Sequence, residues 1–229
     1  IPLVLNMYEN IPFWWTFFNE LNFQVVYSDR STKAIYELGQ DSIPSDTACY
    51  PAKIVHGHME NLLKKDLDFV FYPNMPFNFK EKSYRDNEYN CPVVAFYPEV
   101  IGANMENLDL SKFIDPYVSL NNKKFFIKNM EDSIGKKLKI SPRKVAKAFD
   151  KALEAYNLFR LDVIKEGQKA VKYAQEHNKQ IILLAGRPYH IDPEINHGLP
   201  KLLRNLDCVV ISEDSVNTLS DQEEVKVLN

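Results

Sequence analysis

Four short apolar runs decide what this chain is able to fold into. Residues 1–5 (IPLVL), 23–27 (FQVVY), 68–72 (DFVFY) and 92–96 (PVVAF) are each bounded by polar or turn residues and read as strands. Between the first two, Pro12 opens a helix to about Leu21, with Phe13, Trp14, Phe17, Phe18 and Leu21 on one broad face. Two strands and a helix within about thirty residues make a β–α–β unit, with parallel strands and a right-handed crossover. Ser31 is placed to cap a short helix through Tyr36 and Leu38 that Gly39 ends. Another helix starts at Pro51, where Ile54, Val55, Leu62 and Leu63 recur at helical spacing with His58 and Met59 between them. A helix over 98–108 and an edge strand or crossing segment over 113–120 follow. Alternating strands and helices predict a doubly wound α/β sheet, in which function gathers in loops beyond the carboxyl ends of the strands.

From residue 121 the character changes. Residues 121–180 hold 15 Lys plus Arg against 7 Asp plus Glu, a local excess of +8. Ser141-Pro142 starts a helix, and Val145, Phe149, Ala152, Tyr156, Phe159 and Val163 follow at alternating spacings of four and three. One helix to about residue 177 is predicted, ~54 Å long at 1.5 Å per residue. Its single apolar stripe should lie across a domain surface or pair with a weaker helix near 125–134. The basic excess reads as a solvated face, with a docking surface for an acidic partner or cofactor phosphates as the alternative. Residues 180–185 (QIILLA) and 208–212 (CVVIS) are two further strands, separated by a helix through Leu202, Leu203 and Leu206. The expected architecture is two Rossmann-like α/β domains with parallel sheets, joined by a helical segment with one long helix. The first spans 1–120 and carries the cysteine loops, the basic connector spans 121–178, and a second α/β domain starts in 179–229.

Composition narrows the function classes. With 45% hydrophobic residues, 229 residues bury a sizeable core. A net charge of −3 gives no basis for general nucleic-acid affinity. No apolar run approaches the ~18 residues of a membrane span. The chain opens at Ile1 rather than Met and closes on DQEEVKVLN, which reads as a domain of a longer polypeptide. Three widely spaced cysteines make no disulfide framework and fit a reducing cytoplasm.

Two stretches carry the chemistry. In PSDTACYPAKIVHGH, Cys49 precedes a helix start, where the dipole and free N–H groups favour thiolate, the form that binds metal or attacks electrophiles. A buried structural cysteine is the equally weighted alternative. Cys91 closes the long polar stretch 73–91, just before the fourth apolar run, and the two thiols converge if both loops share one sheet edge. Cys208 opens an apolar strand and reads as core. In GRPYHIDPEINHGLP, Gly186 sits where the backbone turns or approaches something closely. Arg187, His190 and His197, with Tyr189, Asp192 and Asn196, then crowd a loop before a helix, which suits an anion. A polar loop with locally satisfied side chains is the bland alternative.

LVLNMYENIPFWWTFFNELNFQVVYSDRS, PSDTACYPAKIVHGH, YNCPVVAFYPEVI and GRPYHIDPEINHG resemble a domain of large bacterial proteins described as acyl-CoA dehydratase activase-related, or CoA-substrate-specific enzyme activase, itself of unknown function. That domain looks distantly similar to the iron–sulfur subunits of 2-hydroxyacyl-CoA dehydratases. There, α/β domains hold a [4Fe-4S] cluster through cysteines on adjacent loops. An ATP-dependent activator injects one electron, and the dehydratase removes water from a 2-hydroxyacyl-CoA. The resemblance implies an electron-transfer or substrate-handling module in an anaerobe's cytoplasm, with Cys49 and Cys91 as metal ligands. Asn74 stands where related sequences often carry another cysteine, which leaves two thiolates and an amide. The alternatives are a cluster-free module that binds a CoA thioester or other anion through Arg187, His190 and His197, and a structural docking domain that meets other domains of a larger polypeptide.

Overall fold

The computed structural model describes residues 1–79 and 89–216. They form a mixed helix and strand architecture with small parallel sheets. In chain order the elements are α1 (Leu5–Glu9), α2 (Ile11–Glu20), α3 (Lys33–Leu38), α4 (Tyr50–Leu63), β1 (Val70–Phe71), β2 (Asn74–Phe77) and α5 (Pro92–Asn104). There follow β3 (Phe113–Ile114), β4 (Tyr117–Ser119), α6 (Lys123–Met130), α7 (Lys136–Leu138), α8 (Pro142–Glu176), β5 (Ile181–Leu184), α9 (Leu199–Asn205) and β6 (Val209–Ser212). Strand β1 pairs with β3, β2 with β4 and β5 with β6, each pair parallel. Contacts divide the chain into two units, Ile1–Tyr156 and Asn157–Asn229, with the division inside α8.

Several expected strands are replaced. Residues 1–5 end in a helix rather than a strand, and 23–27 is extended but forms no strand. These two segments still meet as a parallel pair would. The Ile1 amine donates to Val26 O at 2.8 Å, and Ser28 N donates to Ile1 O at 3.1 Å. The run 68–72 keeps only two strand residues, and 113–120 splits into β3 and β4. The run 92–96 is helical, and α5 ends at Asn104 instead of near 108. Its β-branched pair suggests a strand, but Val94, Ala95, Tyr97, Pro98 and Ile101 are the buried positions, and that is a helical face. The cap of α3 is Thr32, which accepts from Ile35 N at 3.2 Å, rather than Ser31. Part of the stretch 73–91 lies outside the described residues, as does the tail beyond 216.

The first unit is built on an aromatic core. Phe13, Trp14, Phe17 and Phe18 of α2 are buried, as the periodicity predicts. Trp14 stands 4.9 Å from Phe71 of β1, and Phe13 stands 5.8 Å from Phe126 of α6 and 5.4 Å from Phe149 of α8. Phe126 and Phe149 are 4.8 Å apart, so the weaker helix does pair with the start of the long one. Helix α8 runs 35 residues from Pro142, with Lys144 N donating to Ser141 Oγ at 3.4 Å. Its lysines pair along the helix surface, as Lys165–Asp162 at 3.1 Å and Lys169–Glu166 at 2.6 Å. Pairs this exposed are screened by solvent and are those of a solvated face. In the second unit, β5 and β6 stay in register from Ile181–Val209 to Leu184–Ser212. Gly167 of α8 lets the turn after β6 come close, since a Cβ there would lie 2.1 Å from Ser215 O.

Helix α4 is fixed on two sides. Gly39 and Gly57, both buried, bring α3 against it so closely that a Cβ on Gly57 would lie 1.8 Å from Ile35 O. The His58 ring, fully buried, has Ser28 Oγ at 2.7 Å from Nδ1 and Ser31 Oγ at 3.1 Å from Nε2. Asn61 reinforces this join by accepting from Asp29 N and donating to Asp29 Oδ2, both at 2.9 Å. Burial holds the imidazole neutral, with a pKa lowered to about 3, and His56 on the same helix is lowered to about 4 for the same reason.

Two measurements check this. Gly57→Ala drives a methyl into a backbone carbonyl that cannot rotate away, so urea unfolding should show a loss of roughly 3 kcal/mol or more. The histidines set a pH dependence. Their folded pKa values lie below the unfolded value of about 6.5, so the unfolded chain binds the extra protons. Their stabilisation is complete above pH ~6.5 and is lost progressively as pH falls toward the folded values. Two such groups give roughly 2–3 kcal/mol between pH 6 and 5. A series of urea midpoints should show this fall, and His58→Gln should remove about half of the slope.

Candidate functional site

Cys49 and Cys91 occupy equivalent positions on two helices. Cys49 is the N-cap of α4 and Cys91 the N-cap of α5, so Cys91 precedes a helix and not the expected strand. Each is followed by proline in the first turn, Pro51 and Pro92, which starts the helix without wasting a donor. Neither cap side chain bonds its own helix, and both thiols are free and exposed. Each therefore sits at the positive end of a helix dipole beside unpaired N–H groups. This answers the question the sequence left even: Cys49 is not a buried core residue. Cys208, half-buried, immediately precedes β6 and points its S–H at Leu206 O, 3.7 Å away.

A buried chain of hydrogen bonds ties α4 to α5 within about two turns, or ~10 Å, of each cap. Ser42 Oγ donates to Gly39 O at 3.1 Å, so it accepts from His56 Nδ1–H at 2.8 Å. Neutral His56 then has only Nε2 as an acceptor, and Tyr97 O–H donates to it at 3.1 Å. The tautomer follows from this order of donors. Burial, and next the nearby Cys49, push the Tyr97 phenol up to about 12. Tyr72 follows β1 and is fully buried. Its pKa is raised by burial and then by Tyr97, and its hydroxyl has no partner among the described residues.

Asn74 is the first residue of β2 rather than part of a loop. It is fully buried, and its Nδ2 donates to Asp115 O at 2.8 Å while Oδ1 has no partner among the described residues. Asp115 follows β3, and its carboxyl is raised by burial and by the charge of Glu99. Glu99 in turn accepts from the Tyr117 hydroxyl. Tyr72 and Asp115 thus follow the carboxyl ends of the parallel pair β1 and β3, where α/β folds place ligands, while Asn74 opens β2. Among the described residues no group of three or more His, Cys, Asp or Glu is arranged to hold a metal ion.

In the second unit, Arg187 precedes a short turn, Pro188–Ile191, and its N–H donates to His190 Nδ1 at 3.2 Å. Gly186 allows the close approach expected of it. The neighbour is the His190 ring, whose Nδ1 would lie 2.4 Å from a Cβ at Gly186. Burial and the Arg187 charge lower the His190 pKa. Asn196 Nδ2 donates to His190 O and Ile191 O, and Asn196 Oδ1 accepts from Gly198 N at 3.0 Å. His197 is exposed with φ 53°, next to Gly198 at the start of α9.

The residues not anticipated from sequence are Ser42, His56, Tyr72, Tyr97 and Asp115. His56 carried one signal, its place beside the apolar positions of α4. Tyr97 was hidden by the strand reading of its segment. The family model for the CoA enzyme activase uncharacterised domain matches residues 1–216. No curated protein and no solved structure matches the chain. A match over nearly the whole length, through both cysteine caps and the Arg187 loop, shows that this chain belongs to the CoA enzyme activase uncharacterised domain family.

Proposed function

We propose that the chain serves an acyl-CoA dehydratase/activase-type system as an electron-transfer or substrate-handling module that works at the Cys49–Cys91 face. The observation that carries this reading is the pair of exposed thiols capping two helices joined by the Tyr97–His56 bond. A solvent-exposed thiol beside unpaired backbone N–H groups is open to iron or to an electrophile. Family membership supplies the acyl-CoA context. Three free cysteines suit a reducing cytoplasm, and no helix among the described residues is long and apolar enough to cross a membrane.

An iron–sulfur cluster is the cofactor this reading invites, and the fit is half complete. A cubane takes mostly thiolate ligands. The face offers Cys49 and Cys91, while Asn74 is a buried amide already bonded to Asp115 O. The remaining ligands would come from a substrate, a small thiol or another domain of a larger polypeptide, and an ATP-dependent activator would be the electron donor. What the chain itself does at this face is hold two thiols at positive helix ends and fix the adjacent Tyr97 through neutral His56. The finer architecture, two Rossmann-like domains with the second starting near 179, belongs to the same proposal.

A second reading rests on Arg187. Its guanidinium is exposed on a loop stiffened by His190 and Asn196, and with His190 and His197 it suits a CoA thioester or another anion. The leucines exposed on the second unit, Leu183, Leu199, Leu202 and Leu206, favour docking against further protein.

Anaerobic reconstitution with iron and sulfide separates these readings. Bound iron with a thiolate-to-iron charge-transfer band in the wild type, lost in Cys49→Ser and in Cys91→Ser, is the expected result. Equal iron in the wild type and the double serine variant overturns the cysteine face as a metal site. Saturable binding of a CoA thioester that weakens about tenfold or more in Arg187→Ala, with no iron bound, selects the second reading, since a charge-assisted hydrogen bond gives roughly 1.5–3 kcal/mol.

A further inference from the structure

Ile1 is held as an internal residue of a parallel ladder would be. Its amine donates to Val26 O at 2.8 Å and its carbonyl accepts from Ser28 N at 3.1 Å. These are the two slanted bonds that one residue of a parallel strand makes around the residue opposite it, here Tyr27. Ile1 is 8% exposed. Burial, and next the Lys65 charge, lower the pKa of its amine to about 5. At neutral pH the group that donates to Val26 O is therefore an uncharged N–H, the kind that a peptide bond supplies.

A cleft of about 210 Å³ opens beside Ile1, between the extended segment 23–27 and the segment that leads into β1. Phe18, Phe23, Val25, Phe69 and Phe71 line it. Both walls present backbone. The ladder from Ile1, continued backwards, reaches Gln24 O and Val26 N, and neither makes a backbone hydrogen bond among the described residues. On the other wall, Val70 N donates to Lys112 O at 2.9 Å and Tyr72 N to Ile114 O at 3.0 Å, so β1 spends these alternate groups on β3. Phe71 lies between them and turns its N–H and C=O to the opposite side, the side of the cleft.

We infer that this cleft seats a β-strand formed by the residues that immediately precede Ile1 in a longer polypeptide, parallel to 23–27 on one side and to β1 on the other. Ile1 already stands in the register of that strand, so the residues ahead of it enter the cleft without a turn. The strand order becomes 23–27, the incoming strand, β1 and β3. A parallel strand between two others is covered on both faces, and the aromatic lining of the cleft calls for an apolar run. A strand from another molecule would compete with one that is covalently attached and therefore present at high effective concentration. The inference does not rest on the proposed cysteine face.

Amide hydrogen exchange tests it, with the 229-residue chain compared to the same chain extended by the residues, about ten, that precede Ile1 in its polypeptide. The Val26 and Phe71 amides should exchange at least about tenfold more slowly in the extended protein. Proline at the second residue ahead of Ile1 has no N–H for Gln24 O, and it should return both amides toward the rates of the shorter chain. Should the extended protein fail to fold, the same residues are added as a free peptide to the 229-residue chain, and saturable protection of the two amides is expected. Equal exchange with and without the added residues overturns the inference. A natural polypeptide shown by mass spectrometry to begin at Ile1 overturns it as well. Protection that appears only when the protein dimerises assigns the cleft to a second copy and overturns the occupant named here.

Discussion

Two neutral imidazoles on one helix are the constraint on which the first unit depends. His56 and His58 lie on α4 two residues apart, both fully buried, and both ring nitrogens of each are within hydrogen-bonding distance of a hydroxyl. A buried imidazolium without an anionic partner is strongly disfavoured, so each ring must stay neutral, and each must find one donor and one acceptor. Ser28 and Ser31 meet this demand from the segment before α3, and Ser42 and Tyr97 meet it from the α3 side and from α5. Helix α4 is thereby fixed in rotation as well as position. Because Cys49 caps that helix and Cys91 caps the helix bearing Tyr97, the same bonds set where both thiols stand.

Packing supports this polar frame. The glycine pair at 39 and 57 lets α3 and α4 approach backbone to backbone, which brings the Ser42 hydroxyl within 2.8 Å of His56. Elsewhere in the first unit, Phe13, Trp14 and Phe17 of α2 interleave with Phe126 and Phe149 at edge-to-face and stacked geometries. Aromatic pairs of this kind add about 0.5–1.5 kcal/mol each beyond area burial. Residues 121–156 thus contribute to the first unit's core.

Buried polar atoms without a partner among the described residues occur in both units, Asp214 Oδ1 in the second among them. In the first, Tyr72 follows β1, Asn74 opens β2, Asn6 lies in α1 and Asn10 caps α2. A folded chain tolerates such atoms only when packing over-determines their position, and sites that bind are where that condition recurs. With the family context, the exposed cysteine caps are the working face proposed for this chain.

The sequence by itself determined the helices whose signals are local. Pro12, Pro51 and Ser141-Pro142 mark helix starts that the structure keeps, because a proline in the first turn acts within a few residues. The periodicity of α2 named its buried face, and that of α8 held for Val145, Phe149 and Ala152 but not for Phe159, which is exposed, while β5 and β6 appeared where their apolar runs lie. Family membership was legible too, since its motifs are long and nearly contiguous. Only the tertiary structure decided whether a short apolar run is strand or helix. PVVAF suits a strand in isolation, yet Val94, Ala95, Tyr97 and Ile101 are buried on one helical face. Only it revealed His56, Tyr97 and Ser42 as one chain of bonds, because their partners lie 14 and 41 residues apart. Burial and hydrogen-bond satisfaction are long-range properties: a local window shows that a residue is polar, and the fold alone shows whether anything inside the protein meets it.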